Sequence, residues 1–341
     1  MIFGGRSSEH AISCISARSV AAALRAGGFE VIGIGITTDG AWVSVDPTEL
    51  TGTLPEVPRD APTFRLAPDP TNCGLDADVV FPVLHGPWGE DGTVQGVLEL
   101  TGIPYVGSGV FASAASMDKG HMKMAFKDAE LPTNEYLVVT PAQWERSADD
   151  VLARALAMPG PWFVKPARAG SSRGISKVHE AAALRAAIEF ARSHDPKIII
   201  EASVEHAREI ECGVLVDELG VPRASVCAEI VVRSGHDFYD FDAKYLDDSA
   251  ELIVPAVLDP SVEQRVGELA VAAFEALDCE GLARVDFFVA GDDVLLNEVN
   301  TMPGFTSISM FPRMWMAMGM SYEAIVERLV RDALRRGTGL R

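Results

Sequence analysis

The chain lacks the features that mark several large classes of protein. No apolar run reaches the roughly 18–20 residues that a membrane-spanning helix needs, and no secretory leader pattern is visible. The five cysteines, Cys14, Cys73, Cys212, Cys227 and Cys279, are scattered, odd in number and form no C-x-x-C pair. That argues against a disulfide scaffold or a zinc site and fits a reducing compartment, so a cytoplasmic location is expected. Basic residues are in deficit, 29 Lys and Arg against 49 Asp and Glu, for a formal net charge of −20. A surface of that sign repels phosphate backbones and anionic bilayers, so neither nucleic acid nor membrane is expected as a partner. Any phosphate site must then be a local island of Lys, Arg and backbone N–H groups. Internal repeats and low-complexity segments are also missing.

What is present suits a multidomain globular protein. The 341 residues are too many for one ordinary core, 48% are apolar, and the 30 glycines allow for ligand loops. The first part alternates strands (Val31–Ile36, Val79–Leu84, Ile103–Val106) with helical patterns (Ser13–Arg25, Val94–Leu100). This predicts a parallel sheet covered by helices, an α/β unit over 1–107. Met1-Ile2-Phe3 runs straight into Gly4-Gly5, so the first strand is expected to be clipped or to begin upstream. A second unit, 108–204, reads as helices at Met117–Ala129, Ala142–Ala157 and Ala181–Arg192. Its strands lie at Glu135–Val139, Trp162–Val164, Ile175–Val178 and Lys197–Ile200. A third, 205–341, has strands at Glu209–Val216, Ala224–Val232, Leu282–Val289 and Val294–Val299, helices at Ser261–Leu277 and Tyr322–Arg335, and an aromatic loop over 233–248. The later units read as α+β.

The richest stretch runs from Ala283 to Asn300. Two apolar runs around Gly291-Asp292-Asp293 predict a β-hairpin. Folded about Asp292, it sets Asp286 opposite Glu298 and Arg284 opposite Asn300. Directly paired residues have Cβ atoms roughly 4.5–5.5 Å apart. Facing carboxylates repel unless a cation lies between them, and two carboxylates with an amide suit Mg²⁺ where phosphates complete its shell. The register assumes an odd-length turn, and a one-residue slip breaks it. A solvated edge hairpin is the alternative.

Lys165, at the end of a buried-looking strand, precedes the loop Gly170-Ser171-Ser172-Arg173-Gly174. Glycines there permit positive φ, which lets successive N–H groups converge on a phosphate. Two strands joined by this loop suggest a flap over a ligand. Asp118-Lys119 is either a second phosphate contact or an N-cap followed by a solvated lysine. Lys244-Tyr245 lies in the loop Phe238-Tyr239-Asp240-Phe241-Asp242-Ala243, which is either a closing loop or ordinary surface. Glu9 taken alone reads equally as a helix-capping carboxylate.

The ordered set of motifs resembles the D-alanine–D-alanine ligase family of ATP-grasp enzymes over nearly the whole chain. The matching stretches are Gly4-Gly5-Arg6-Ser7-Ser8-Glu9-His10, His85-Gly86 with Gly89-Glu90-Asp91-Gly92-Thr93-Val94-Gln95-Gly96, Met117-Asp118-Lys119, and Val164-Lys165-Pro166 with Gly170-Ser171-Ser172. They continue through Lys244-Tyr245, Arg284-Val285-Asp286, and Glu298-Val299-Asn300-Thr301 with Pro303-Gly304-Phe305-Thr306-Ser307. The resemblance implies a three-domain ATP-grasp fold and ATP-dependent joining of two D-alanine molecules through an acyl phosphate, for peptidoglycan precursors. It implies that Lys119 and Lys165 contact ATP phosphates and Lys244 the γ-phosphate, with Glu201 and Val204 at adenine and Glu209 at ribose. Asp286, Glu298 and Asn300 would hold two Mg²⁺, with Mn²⁺ a substitute. Glu9 would bind the first substrate's ammonium, with Ser171 and Tyr245 linked to it, and His85 would sit nearby. Arg284 and the Gly304 N–H would face the tetrahedral oxyanion, and Ser309 the second carboxylate. Family members are commonly dimers, so a homodimer is expected.

Ala202 follows Glu201 where relatives often carry a longer polar side chain, and Ala11 replaces a common Glu; neither removes a catalytic group. Other readings are a D-lactate or D-serine ligase, another ATP-grasp carboxylate–amine ligase, and a non-catalytic nucleotide sensor. Tyr245 argues against the ester-forming enzyme, and the intact Arg284 and metal set argue against the sensor.

Overall fold

The structure, a computed structural model of the chain, describes residues 1–67, 74, 76–232 and 250–339. Lys244, Tyr245, the expected loop over 233–248 and Cys73 lie outside the described residues. The other four cysteines are buried free thiols.

Three sheets organise the described residues. The first contains β1 (Ile2–Gly4), β2 (Ile34–Ile36), β3 (Trp42–Ser44) and β4 (Pro82–Val83) in the order β3-β2-β1-β4. β1 runs parallel to β2 and β4, as the alternating pattern predicts, but β3 is an antiparallel edge. The strand expected at Ile103–Val106 reduces to a single bridge between Tyr105 and Val80. Pro104 sits in the middle of that run and has no N–H to extend a ladder. Helix α1 (His10–Ala26) buries Cys14, Ala17, Val20, Ala21 and Leu24 on one face, the spacing of an amphipathic helix. Helix α2 is Thr93–Thr101.

The helix expected over Met117–Ala129 is α4 (Lys119–Asp128), and a separate helix that the sequence reading does not foresee, α3 (Val110–Met117), precedes it. Asp118 between them is extended, and its carboxylate accepts from the N–H groups of Gly120 and His121. It thus closes α3 and caps α4, a cap typically worth ~1 kcal/mol. The second sheet is β5 (Tyr136–Val139), β6 (Trp162–Pro166), β7 (Ser176–Val178) and β8 (Ile198–Ala202), all antiparallel in the order β5-β8-β6-β7. Helices α5 (Pro141–Leu156) and α6 (Leu184–Arg192) cover it. β6 and β7 form the expected flap, with the Gly/Ser loop between them.

The third sheet is antiparallel, in the order β11-β10-β9-β12-β13, from β9 (Arg208–Val216), β10 (Pro222–Val232), β11 (Ala250–Ile253), β12 (Leu282–Ala290) and β13 (Asp293–Asn300). Helix α7 (Pro260–Ala276) lies between β11 and β12, and α8 (Met310–Ala317) and α9 (Tyr322–Arg336) follow β13. α8 is not foreseen by the sequence; its short run, interrupted by Pro312, shows too few turns for a period to emerge.

Two packing arrangements bring the sheets around one cleft. Ile325, Val326, Leu329 and Val330 of α9 share a core with Phe3, Val20, Leu24 and Phe81 of the first unit. Met122 and Phe126 of α4 enter the core of the third sheet beside Val285, Leu296 and Val299. Each such side chain contributes roughly 1.5–3 kcal/mol on full burial, so the chain's end is tied firmly to its beginning. Among the described residues no helix is long and apolar enough to cross a membrane.

Candidate active site

The β12–β13 hairpin builds the acidic floor of the cleft. Asp286 pairs with Glu298 and Arg284 with Asn300, as the sequence predicts. The route to that register differs from the expected one. The turn is an even, two-residue one, Gly291-Asp292, between the paired Ala290 and Asp293. The ladder then shifts by one residue at Asn297, because Asp286 pairs with Glu298 while Phe287 pairs with Leu296. This β-bulge compensates for the turn and returns Glu298 to the position opposite Asp286.

Arg284 makes a bidentate pair with Asp286, both contacts at 2.7 Å, and its Nε lies 3.3 Å from Glu211 on β9. Asn300 Nδ2 donates to Asp286 at 3.0 Å, and Lys119 Nζ lies 3.2 Å from Glu298. Burial alone would lower the Arg284 guanidinium, but Asp286 and Glu211 raise it well above its ordinary value, so it stays charged. Glu211 and Asp286 thus share Arg284, and Glu298 pairs with Lys119, which leaves one negative charge in excess over the five groups. No three His, Cys, Asp or Glu side chains converge as a metal site among the described residues. The donor set is two carboxylates and an amide, which suits a hard cation whose remaining ligands are phosphate oxygens. Turning the Asn300 amide presents its oxygen in place of the nitrogen; which way an amide points is an assignment from its partners. The residues thus fit Mg²⁺.

The phosphate side rises from α4, β6 and the flap. Lys119 opens α4; its backbone N–H donates to Ala167 at 3.0 Å and its ammonium to Ala169 at 3.2 Å. It is therefore tied to the flap rather than solvated. Lys165, on β6, lines the cavity, and burial, which alone would lower it, is outweighed by Glu201, which raises it. In the flap loop Ser171 and Ser172 have φ of 51° and 55° and Gly174 has φ of 73°. Successive left-handed residues of this kind turn N–H groups inward. Asp195 holds the start of the loop, accepting from the Arg168 backbone and both arms of its guanidinium.

At the opposite end, Glu9 is the N-cap residue of α1 but makes no side-chain cap. Its carboxylate instead accepts from the Ser171 hydroxyl across the cleft. Gly86, with φ of 76°, lies so close that a Cβ there would come within 2.3 Å of Glu9 Oε2. His85 is buried, bonded to Met302 O at 2.9 Å and Ser16 Oγ at 3.0 Å, and burial holds it below its ordinary pKa, so the ring is neutral. Ser309 precedes α8, and its Oγ accepts from Thr306 N at 3.0 Å.

One cavity of about 340 Å³ is lined by Glu9, His85, Lys119, Lys165, Ser171, Glu209, Arg284, Asp286, Glu298, Asn300, Gly304 and Ser309. Its size is that of a small-ligand site. Glu201 and Val204, expected at adenine, are not on its wall. Glu201 is 1% exposed, and its two oxygens hold Lys123 at 2.8 Å and Lys165 at 2.6 Å. A carboxylate held by two ammoniums is a buried counter-ion, and the lysines keep it ionised, down to about 2, against burial.

Three wall or near-wall residues receive no role from the sequence: Lys123, Glu211 and Glu90. Glu209 and Glu211 sit two apart in an apolar strand, a signal that was available. Lys123 is masked by its apolar neighbours. Glu90 accepts from Gly86 N at 2.6 Å and Met302 N at 3.0 Å, joining the first and third units. Burial, then the charge of Glu9, pushes it from 4.5 up to about 8. Folded Glu90 keeps its proton between these values while the unfolded chain has released it. Its contribution to stability therefore falls as pH rises from 4.5 to about 8. Glu90→Gln is expected to flatten the pH dependence of Tm across that window; a slope equal to wild type in thermal melts contradicts the assignment.

Comparison with known proteins agrees with this geometry. The model of the D-ala D-ala ligase N-terminus matches residues 1–108 and that of the C-terminus residues 125–331. The D-alanine–D-alanine ligase of Rhodococcus opacus (strain B4) is 52% identical over 100% of this chain and 98% of its own length. That of Mycobacterium avium (strain 104) is 50% identical over 100% and 97%. Among solved structures, the VanG D-Ala:D-Ser ligase of Enterococcus faecalis superposes with a TM-score of 0.83 at 34% identity, covering 97% of this chain and 98% of that one. The D-alanine–D-alanine ligase of Coxiella burnetii gives 0.78 at 30%, covering 98% and 93%. With both halves matched, and with relatives of this identity along its whole length, the chain belongs to the D-alanine–D-alanine ligase family and has its ATP-grasp fold.

Proposed function

We propose that the residues gathered in this cleft carry out the reaction of the family, the ATP-dependent joining of two D-alanine molecules for peptidoglycan precursor synthesis. The observation that carries the reading is the convergence of Arg284, Asp286, Glu298 and Asn300 with Lys119, Lys165 and Glu9 on one cavity. In this account residues 1–107 hold the first amino acid, 108–204 supply the phosphate-binding lysines and loop, and 205–341 supply the metal set.

Glu9, tied to Ser171, takes the ammonium of the first D-alanine, with neutral His85 behind it. Tyr245, outside the described residues, is assigned to the same link. Lys119 and Lys165 neutralise ATP phosphates, Lys244 reaches the γ-phosphate, and Glu209 holds the ribose. The flap N–H groups cover the transferring phosphoryl group. Asp286, Glu298 and Asn300 would hold Mg²⁺, which supplies charge neutralisation as the phosphoryl group moves. The substrate carboxylate attacks the γ-phosphate, the bond to the β-phosphate breaks with ADP as leaving group, and the carboxylate becomes an acyl phosphate. The second amine attacks the acyl carbon, and Arg284 with the Gly304 N–H takes the charge on the tetrahedral oxygen. Ser309 and the start of α8 fix the second carboxylate. Phosphate then leaves and the dipeptide forms.

A cytoplasmic homodimer is part of the same reading, supported by the buried free thiols and by the habit of the family. The decisive assay follows phosphate release and product with ATP, Mg²⁺ and single amino acids. Release that requires D-alanine and yields the dipeptide is expected, with L-alanine inert. Release without amino acid sinks the ligase reading. Faster turnover with D-serine or D-lactate as the second substrate reassigns the nucleophile.

A further inference from the structure

One side chain of the first unit reaches the third unit's chemistry without a role in the mechanism above. Glu90 lines the cavity, and each of its oxygens holds one backbone N–H. Oε2 accepts from Gly86 at 2.6 Å and Oε1 from Met302 at 3.0 Å. The carbonyl of the same Met302 lies 2.9 Å from His85 Nδ1, so that nitrogen carries the hydrogen of the neutral ring. Both polar groups of the Met302 backbone are therefore gripped by the loop over 85–90.

This grip falls where the third unit has little else to hold it. Upstream, Asn300 is paired with Arg284 at the end of the β12–β13 ladder. Downstream, the Tyr322 hydroxyl donates to the Phe305 carbonyl at 2.7 Å, and Thr306 N donates to Ser309 Oγ at 3.0 Å. Among the described residues, the two bonds on Met302 are the only hydrogen bonds to the backbone from Thr301 to Gly304. Pro303 has no N–H to add another.

The substrate gives a reason for the tie. In the reaction proposed above, Glu9 holds the ammonium of the first amino acid and the Gly304 N–H faces the oxygen on its acyl carbon. Covalent geometry fixes the separation of those two substrate groups. Their protein partners stand in different units, so the fold must fix a matching separation. Gly86, the other residue held by Glu90, packs against the Glu9 carboxylate. Glu90 thus spans from the wall of Glu9 to the residue two before Gly304.

We propose that Glu90 is a positioning residue that sets the distance from Glu9 to the Gly304 N–H and so aims that N–H at the tetrahedral oxygen. The inference rests on the roles given above to Glu9 and Gly304. A carboxyl group keeps an acceptor on each oxygen, which the span requires. An amide of the same shape has one acceptor and turns a donor toward the second N–H.

The test uses the full-length chain with Glu90→Gln and with Glu90→Asp, whose side chain is one methylene too short to reach both N–H groups. It reads kcat, the KM for ATP and for the first D-alanine, the Mg²⁺ requirement, and the inhibition constant of a phosphinate analogue of the dipeptide. The tetrahedral phosphorus of that analogue bears an oxygen where the oxyanion forms. Both variants are expected to lose about tenfold or more in kcat, since a misplacement of about 1 Å costs up to roughly 10²-fold. Affinity for the analogue should fall by a similar factor, while both KM values and the Mg²⁺ requirement stay near wild type. Unchanged kcat and analogue affinity, or equal losses for all ligands, overturn the proposal, the second because a merely structural role does not single out the tetrahedral state. A raised D-alanine KM at normal kcat makes Glu90 a substrate ligand instead, and a raised Mg²⁺ requirement places the disturbance at Asn300; each overturns it. Loss in Glu90→Gln with normal behaviour in Glu90→Asp makes charge, not span, responsible and also overturns it. Should Glu90→Gln not fold, Glu90→Asp is read alone by the same split. A wild type that binds the analogue no better than the dipeptide removes the oxyanion reading itself and this proposal with it; a wild type that prefers the analogue, beside variants that do so equally, removes only the role of Glu90.

Discussion

Arg284→Ala is expected to lower kcat by about 10²–10³-fold at saturating substrates, the usual cost of losing one oxyanion donor in a dry site. The KM for ATP should change little, because the lysines and the flap hold the phosphates. The geometry adds a second consequence. Arg284 clamps both oxygens of Asp286 at 2.7 Å and stands 3.3 Å from Glu211. Its removal leaves Glu211, Asp286 and Glu298 with Lys119 as the nearest cation of the group described above. Surplus negative charge draws in divalent metal, so the variant should need less Mg²⁺ for half-maximal rate even as its maximum falls. Arg284→Lys keeps a charge but not the planar fork, and should recover only part of the rate. Steady-state kinetics at several Mg²⁺ concentrations read both effects. Near-normal turnover in the alanine variant contradicts the role given to Arg284.

Asp286→Asn should be more damaging, with kcat reduced by at least about 10³-fold. Metal assistance in phosphoryl transfer is worth several kcal/mol, and each ~1.4 kcal/mol is tenfold in rate. Asp286 is the hub of the cluster: it binds both arms of Arg284, accepts from Asn300 and pairs across the ladder with Glu298. Its amide is a weaker oxygen ligand and a poorer partner for a buried guanidinium. Both the metal and the oxyanion donor therefore lose their seat. Glu211→Gln should cost much less, since Glu211 reaches Arg284 from the neighbouring strand without facing Glu298. Equal losses for the two variants would mean that bulk charge, not position, controls the rate. Thermal unfolding of each variant separates a lost site from a lost fold.

Much of this was legible in the residues, and the failures have physical causes. Alternation along β12 and β13 gave the faces, and opposed carboxylates pointed to a cation. The turn was read with the wrong length, and the bulge at Asn297, which an alternation pattern does not mark, restored the pairing. Asp118 was legible as an N-cap in its capping chemistry, and it does open α4, whereas the preceding α3 gave no such start signal. Pro104 limited Ile103–Val106 to one bridge. Glu9 shows the limit of local reasoning: beside a helix start it looks like a cap, the family resemblance links it to Ser171, and the fold shows Ser171 reaching it from 162 residues away. Lys123 and Glu201 are similar, since buried ion pairs depend on which elements pack together.

The proposed mechanism needs one cluster to grip a divalent ion beside bound nucleotide. Mn²⁺ binding, followed by its electron spin resonance signal in the presence of ADP, tests this directly. Wild type should bind Mn²⁺ tightly only when nucleotide is present, and Asp286→Asn should lose that binding while still taking up ADP. Equally tight Mn²⁺ binding in the variant would place the ion elsewhere and remove the foundation of the mechanism.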